Sequence, residues 1–392
     1  KNPQGGVSRV GYTDADKQGR EYAMRRMREA GLDVRIDTAG NIIGRVAGSD
    51  SRLKPILFGS HTDSVPEGGN YDGTLGSLSA IEAIHTMREQ KIVTRHPLEI
   101  VIFQFEEGGL YGSRGMLGTL TERDLALVNW SGKSVKDGIA FIGGNTERLP
   151  EAKRSAGDIA VYLELHIEQG GTLEQRALQV GIVQGIVGVY RWAVTIEGFA
   201  NHAGTTAMPD RKDALLAAAR FIDTVNRDVR AVPGRQVGTV GKIEVWPNTP
   251  NVVPGKVAVT LELRDLEANK VTSIYETIRR DAEAIAQATG TTFRFDPISA
   301  NAPALTDSRV RRAVGDTATA LSLTSVELPS GAGHDAQSMA NIAPMGMIFV
   351  PSVGGISHSP KEYTHPADCV RGGNMLLNTI LRLDQMDWSR PA

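Results

Sequence analysis

The segment Pro55-Ile56-Leu57-Phe58-Gly59-Ser60-His61-Thr62-Asp63-Ser64-Val65-Pro66, continued by Gly69-Asn70-Tyr71-Asp72-Gly73, sets the terms on which the rest of the chain is read. The apolar run from Pro55 to Phe58 predicts a buried strand. It ends in a polar loop carrying one imidazole and two carboxylates, before a helix begins near Thr74. An imidazole and hard oxygen donors gathered in one loop are the usual start of a metal site.

The same arrangement recurs three times further along. A strand over 98–105 ends in Glu106-Glu107-Gly108-Gly109, one over 159–165 ends in His166-Ile167-Glu168-Gln169-Gly170, and Met345–Val350 leads into Gly354-Gly355-Ile356-Ser357-His358. In open α/β sheets, ligand sites form beyond the carboxyl ends of the strands. His61, Glu106/Glu107, His166 and His358 are therefore expected to converge at one edge of an α/β sheet. Ahead of them, Thr13 to Gly31 predicts a capped amphipathic helix, and 33–37 with 42–46 predicts a strand pair.

Between about 182 and 296 the pattern changes. Tyr190, Trp192, Val194 and Ile196 alternate as a strand, and a helix follows with Leu215, Ala218, Ile222, Val225 and Val229 on one face. Strands at 239–245 and 256–263 come next, the latter with Val257, Val259, Leu261 and Leu263 on one side. A helix (Val271, Ile274, Ile278, Ala282, Ile285) and a strand near Phe293 to Phe295 close the unit. The order βαββαβ describes a two-layer α+β module with one helix-covered sheet face, inserted between a first part of the main domain (1–181) and a second (297–392).

A chain of 392 residues exceeds the size at which one core keeps growing, which agrees with two domains. With 43 Lys+Arg against 45 Asp+Glu and only 5% aromatic residues, nothing favours nucleic acid or an anionic membrane as a partner, and a small polar substrate is expected. The single cysteine, Cys369, excludes an intrachain disulfide and a thiolate metal cluster, so metal ligands must be His and carboxylates. No apolar stretch approaches the roughly 18 residues of a membrane span. The first residue is Lys1, so a missing N-terminal segment is expected. The compartment expected is the cytoplasm, with a periplasmic or secreted location left open.

Two divalent metals held close together need His and carboxylate donors with one carboxylate shared. Asp72 is assigned as the bridge, with His61 and His166 completing one site and Glu107 and His358 the other. Neighbouring side chains on extended backbone point to opposite sides, so one of Glu106 and Glu107 coordinates while the other activates water. Asp63 is expected to orient the His61 ring through its other nitrogen. His202, in Asn201-His202-Ala203-Gly204-Thr205-Thr206, is a candidate oxyanion donor. Arg264, with Asn251 nearby in sequence, is a candidate clamp for a substrate carboxylate. Gly331-Ala332-Gly333-His334-Asp335 is expected to be structural support, and His85, His96 and His365 to be structural or solvent-facing.

Gly-Ser-His61-Thr-Asp63-Ser-Val-Pro, Gly-Asn-Tyr-Asp72-Gly, Phe-Glu106-Glu107-Gly, Leu-His166-Ile-Glu-Gln169-Gly, Asn-His202-Ala-Gly-Thr-Thr-Ala-Met-Pro and Ser-His358-Ser together resemble the amidase/hydantoinase/carbamoylase branch of the dinuclear-zinc peptidase superfamily. Its members include N-carbamoyl-L-amino acid hydrolases, beta-ureidopropionase, allantoate amidohydrolase and ureidoglycolate amidohydrolase. The resemblance implies a dinuclear-metallopeptidase-like catalytic domain and a lid domain that pairs subunits into a homodimer. It implies two divalent ions per subunit, Zn²⁺ foremost with Mn²⁺ or Co²⁺ as alternatives, and makes Glu106 the general base. It further implies that Gln169, His202, Asn251 and Arg264 bind a small substrate bearing a carboxylate, with His202 reaching the partner subunit's active site. A histidine at 166 is the ligand of the ureido-hydrolysing branch, where peptidase relatives tend to carry a carboxylate.

The pattern departs in one place. Many members of the branch continue after Glu-Glu-Gly with a variable residue and then Arg-Phe-Gly, whereas this chain has Gly109-Leu110-Tyr111-Gly112. The expected activity is hydrolysis of a linear amide, foremost the carbamoyl group of an N-carbamoyl-L-amino acid. Allantoate, ureidoglycolate and N-acyl amino acids are the alternatives, and a non-catalytic metal-binding module is the reading from outside enzymology.

Overall fold

The structure, a computed structural model, describes residues 5–388. Its strands are β1 (Asp33–Ile36), β2 (Ile42–Val46), β3 (Ile56–His61), β4 (Leu98–Phe103), β5 (Val161–Ile167), β6 (Val180–Ile186), β7 (Gly188–Glu197), β8 (Asn201–His202), β9 (Val237–Trp246), β10 (Val252–Val253), β11 (Lys256–Asp265), β12 (Thr292–Asn301), β13 (Ala304–Leu305), β14 (Ser325–Ser330) and β15 (Met345–Val350). Two compact units result: Val187–Ala304, and the described chain before and after it.

The outer unit is built on a mixed nine-stranded sheet in the order β1-β2-β4-β3-β5-β15-β6-β13, with β14 paired to β6. The strands whose polar ends drew attention in the sequence, β4, β3, β5 and β15, are consecutive and mutually parallel. Their carboxyl ends therefore share one edge. Every residue of these four strands is buried, as expected where helices cover both faces of a parallel sheet.

Phe58, Ile100, Leu163, Leu165 and Ile348 pack in one core with Leu75, Ile81 and Ile84 of the helix Thr74–Glu89 and with Met375, Leu376 and Ile380 of the helix Pro366–Asp384. Each fully buried aliphatic side chain of this kind contributes roughly 1.5–3 kcal/mol. The predicted N-terminal helix spans Asp14–Glu29, with the Thr13 hydroxyl accepting from the Asp16 amide.

β4 stops at Phe103, two residues short of the predicted end. Phe105 has φ 44°, a left-handed value that turns the chain just before Glu106 and Glu107. β5 runs on through His166 to Ile167, so that histidine is set on a strand and not in the following loop.

The inserted unit is an antiparallel four-stranded sheet in the order β12-β7-β11-β9, with the helices Ala214–Ala231 and Ala268–Thr289 between its strands. The order is βαββαβ. Val257, Val259, Leu261 and Leu263 bury one face against Phe221, Val225, Ile274 and Ile278 of the helices. Its limits lie at 187 and 304, where the sequence suggested 182 and 296. β6 reads like an alternating strand but belongs to the outer sheet, and β12 continues to Asn301, past the Phe293 to Phe295 core. The β8–β10 pair, two residues from each strand, had no periodicity by which to be seen. Among the described residues, no helix is long and apolar enough to cross a membrane.

Candidate metal centre and active site

Parallel pairing of β4, β3, β5 and β15 brings the histidines and acids from their ends together around Asp72. His61 is the last residue of β3, and His166 the penultimate residue of β5. The Asp72 loop returns beside β3 because Gly73 takes φ 58°, and a Cβ there would lie 2.3 Å from His61 Nε2. His358 follows β15 across a short turn with φ 53°, and its side chain is half exposed.

The two oxygens of Asp72 face different partners. Oδ1 is 3.4 Å from His61 Nε2 and 3.1 Å from His166 Nε2, whereas Oδ2 is 3.2 Å from His358 Nε2. Glu107 Oε2 is 3.3 Å from the same His358 nitrogen, and Glu107 Oε1 is buried without a hydrogen-bond partner among the described residues. The side chains thus sort into two ligand-like sets that share Asp72: His61, Asp72 and His166, and Asp72, Glu107 and His358. Glu106 Oε2 lies 3.9 Å from His61 Nε2, so Glu106 and Glu107 diverge.

Donor chemistry tests whether cations fit. The His61 Nδ1 faces the Asp63 main-chain oxygen at 3.1 Å, and the His166 Nδ1 faces the Ile167 oxygen at 2.9 Å. In a neutral ring each Nδ1 would then carry the proton, and each Nε2 would turn its lone pair toward an Asp72 oxygen. Lone pair against carboxylate is repulsive unless a positive charge lies between them. Two ligands of a tetrahedral ion, each about 2.0–2.1 Å from it, sit about 3.3 Å apart, close to the separations seen here. The set fits a pair of divalent ions.

Electrostatics of the protein groups alone point the same way. Burial alone would raise Asp72, but hydrogen bonds from His166, His358 and His61 hold its carboxyl well below the usual range. Burial disfavours charge on His61 and His166, yet Glu106 and Asp72 for the first, and Asp72 for the second, raise both imidazoles. The hydrogen bond to Asp72 carries His358 up to about 9, against burial. Burial, with Asp72 nearby, pushes Glu107 up to about 7, and burial, with Asp335 and Glu107 nearby, pushes Glu106 well above the carboxylate range. Protons hold this cluster together in the absence of metal, and divalent cations would replace them.

Asp63 meets the other nitrogen of the His61 ring, as the sequence led one to expect, but through its backbone. Its main-chain oxygen takes the hydrogen bond of the His61 ring, with Oδ1 at 3.6 Å. Its carboxylate accepts the amides of Glu106 and Glu107, at 3.1 and 3.2 Å, and so fixes the backbone that presents both acids. Gln169, expected to hold substrate, donates its Nε2 to Asp72 Oδ2 at 2.8 Å.

Within the inserted unit, β8–β10 pairing places His202 opposite Val252, and the Ala203 amide donates to the Asn251 oxygen at 2.9 Å, so His202 and Asn251 share one exposed corner. His202 Nδ1 accepts the amides of Gly204 and Thr205, at 3.0 and 3.2 Å. In the neutral ring the proton must then sit on Nε2, which leaves that nitrogen a donor. Arg264 donates its Nε to Glu262 at 2.7 Å, and Glu262 also pairs with Arg191.

Sequence reasoning passed over several buried polar groups. Glu164 is fully buried in β5 and accepts from Ser60 Oγ, Tyr162 Oη and the Ala336 amide. A lone acid inside the apolar run 161–167 was the available signal. His334, in the loop expected to be structural support, is buried with its ring 4.4 Å from that of His166 and its Nε2 on Ser330 Oγ, so the Gly331 to Asp335 loop packs directly behind a ligand candidate. Arg9 reaches from the N-terminal segment to the Thr62 oxygen and the Thr74 hydroxyl. Glu362 and Ser357 contact the Asp72 segment. Arg114, four residues after Leu110, is committed to Asp124 at 2.7 Å. His96 Nδ1 is bound to the Lys54 oxygen, in keeping with a structural role.

Comparison with known proteins gives this geometry a context. Residues 57–382 match the model of Peptidase family M20/M25/M40. The chain is 41% identical over 390 residues to the N-carbamoyl-L-amino acid amidohydrolase of Geobacillus stearothermophilus, covering 98% of this chain and 95% of that one. It is 36% identical over 385 residues to the allantoate amidohydrolase of Bacillus subtilis, covering 97% and 93%. Among solved structures, a hydantoinase/carbamoylase family amidase from Burkholderia multivorans superposes with a TM-score of 0.90 at 35% identity, covering 98% of this chain and 94% of the other. Sequence and fold agree along nearly the whole length, and the chain belongs to Peptidase family M20/M25/M40, alongside the hydantoinase/carbamoylase amidases.

Proposed function

We propose that this protein is a metal-dependent amidohydrolase that removes the carbamoyl group from an N-carbamoyl-L-amino acid. The observation that carries the proposal is Asp72, whose two oxygens face two separate histidine-containing sets with a buried acid, Glu106, beside them. A binding protein has no use for that acid, whereas hydrolysis needs a base. The relatives named for carbamoyl amino acids supply the substrate class.

His61, Asp72 and His166 would hold one divalent ion, and Asp72, Glu107 and His358 the other, Zn²⁺ by preference with Mn²⁺ or Co²⁺ as alternatives. Bound ions would supply Lewis acidity toward the ureido carbonyl and lower the pKa of water. Glu106 takes the proton from the attacking water and returns it to the amino acid nitrogen as the carbon–nitrogen bond breaks. The amino acid leaves, and the carbamate left behind breaks down to carbon dioxide and ammonia. His202 presents its Nε2 proton to the developing oxyanion, and Arg264, Asn251 and Gln169 hold the substrate carboxylate and amide.

We also propose a homodimer formed through the inserted unit as a lid and pairing domain. β9 is an edge strand of its sheet, and Val237, Ile243 and Trp246 on it are exposed, as are Leu215, Leu216 and Ile222 on the helix Ala214–Ala231. His202 of the partner subunit would then complete each site.

The test is hydrolysis of a panel of N-carbamoyl-L-amino acids, allantoate, ureidoglycolate and N-acetyl amino acids by metal-loaded protein, with Glu106→Gln as control. Equal release of amino acid and ammonia from carbamoyl substrates, lost in the variant, supports the proposal. Turnover confined to allantoate or ureidoglycolate would move the substrate, and no turnover on any of them would sink it.

A further inference from the structure

Glu362 is 3% exposed, yet among the described residues no Lys, Arg or His forms an ion pair with it; its acceptors are filled by neutral donors. Oε1 takes the amides of Tyr71 and Asp72, at 2.8 and 3.1 Å, and Oε2 takes the Ser357 hydroxyl at 2.8 Å. The Ser357 oxygen also lies 3.1 Å from Asp72 Oδ2 and immediately precedes His358. A Cβ on Gly69 would fall 2.0 Å from the Glu362 carboxylate, so the Asp72 loop lies flush against it.

These contacts form a single frame. Two amide bonds fix the backbone from which Asp72 projects, and the hydroxyl fixes the turn that carries His358. Both parts come from segments about 290 residues apart in the chain. Burying a carboxylate without a cationic partner is costly. Cations held on the other side of Asp72 would help to offset that cost.

We propose that Glu362 is a positioning residue for the shared carboxylate. It locks Asp72 and His358 into one geometry and adds negative potential behind them, so that the Glu107–His358 side of the centre holds its ion. The proposal rests on the metal-dependent reading given above and deepens it. Glu362 touches neither substrate nor ion and acts through Asp72 and Ser357.

The experiment is a Co²⁺ titration of metal-free protein, following stoichiometry, affinity and visible absorption, for wild type, E362A, E362Q and E99Q. Glu99 is equally buried and pairs with Arg45 and Arg154 at the start of β4, so E99Q perturbs stability without touching the Asp72 frame. We expect two ions in wild type and a second-ion affinity about 10- to 100-fold weaker in E362A, with altered absorption for that ion, the range typical when groups behind metal ligands are removed. E362Q should fall between, because its carbonyl still accepts the Tyr71 and Asp72 amides.

E99Q should bind Co²⁺ as wild type does. Wild-type stoichiometry, affinity and spectrum in E362A would overturn the proposal, and so would an equal loss in E99Q. If E362A does not fold, E362Q decides: weaker second-ion binding upholds the role and wild-type binding removes it. Wild-type protein that binds no Co²⁺ would instead overturn the metal-dependent function itself.

Discussion

The two units hold their candidate residues in opposite ways. At the carboxyl edge of β4, β3, β5 and β15, His61, Asp72, Glu106 and His166 are buried; Asp72 and Glu106 are fixed by partners far away in sequence, and the two imidazoles face Asp72 from separate strands. In the inserted unit, His202 and Asn251 are exposed and held by a two-residue strand pair and local amides, and Arg264 is half-buried within an ion pair on its own strand. The first arrangement suits groups that must keep a geometry to a fraction of an ångström before substrate arrives. The second suits groups that meet substrate afterwards. On the proposed roles, metal and base fall in the buried part, and recognition, apart from Gln169, in the accessible part.

Substitutions on each side test that division. Glu106→Gln should lower kcat about 10²- to 10⁴-fold, the usual contribution of a general base, while both ions stay bound. Metal loss in this variant would show that the base also holds the centre together. His202→Ala should lower kcat about 10²- to 10³-fold, as for loss of an oxyanion donor, with metal content and ion affinity unchanged. A weakened ion affinity there would break the division between the units. Arg264→Ala should act mainly on KM, raising it about 10- to 100-fold through loss of a charge-assisted pair. An unaltered KM would remove the clamp and leave Arg264 as a partner of Glu262 alone.

The smallest effect concerns pH. In metal-free protein, His358 and Glu107 both titrate above their ordinary values, at about 9 and about 7. A raised pKa gives stability that is full below the unfolded-state value and lost as pH rises through the folded one. Metal-free protein should therefore lose stability from about pH 4.5 to 7 through Glu107 and from about pH 6.5 to 9 through His358. Bound metal should flatten or reverse this slope, since ions compete with those same protons. Thermal melts with and without Zn²⁺ at pH 6 and 9 measure it, and a metal-free Tm that rises with pH would contradict the assigned cluster.

Much of the centre could be read before any coordinates, because each ligand candidate ends or follows an apolar run, and strand ends in an α/β sheet have a known fate. His61, Glu107, His166 and His358 were all visible this way. What escaped was whatever depends on contacts across the chain. Glu362 looks like one of many surface acids until Tyr71 and Asp72 close over it, and Asp63 gives its carboxylate to backbone amides that no pattern announces. The inserted unit was legible in its strand and helix order. Its edges were not, since β6 alternates like the strands beyond it while pairing with β14 and β15. The β8–β10 pair that places His202 is too short for any periodicity.

The order of the strands in the chain has a consequence for how the protein is made. β15 and its histidine are translated after the whole inserted unit, yet β15 pairs beside β5, which was made long before. At about 5–20 residues per second, His358 leaves the ribosome about ten to forty seconds after His166. During that interval the nascent chain carries His61, Asp72, Glu107 and His166 but lacks His358, the last member of the second set. A ribosome stalled before residue 345 would hold a chain with His358 still missing from the second set and an open sheet edge at β5, so loading of a second ion would report completion of synthesis as well as folding.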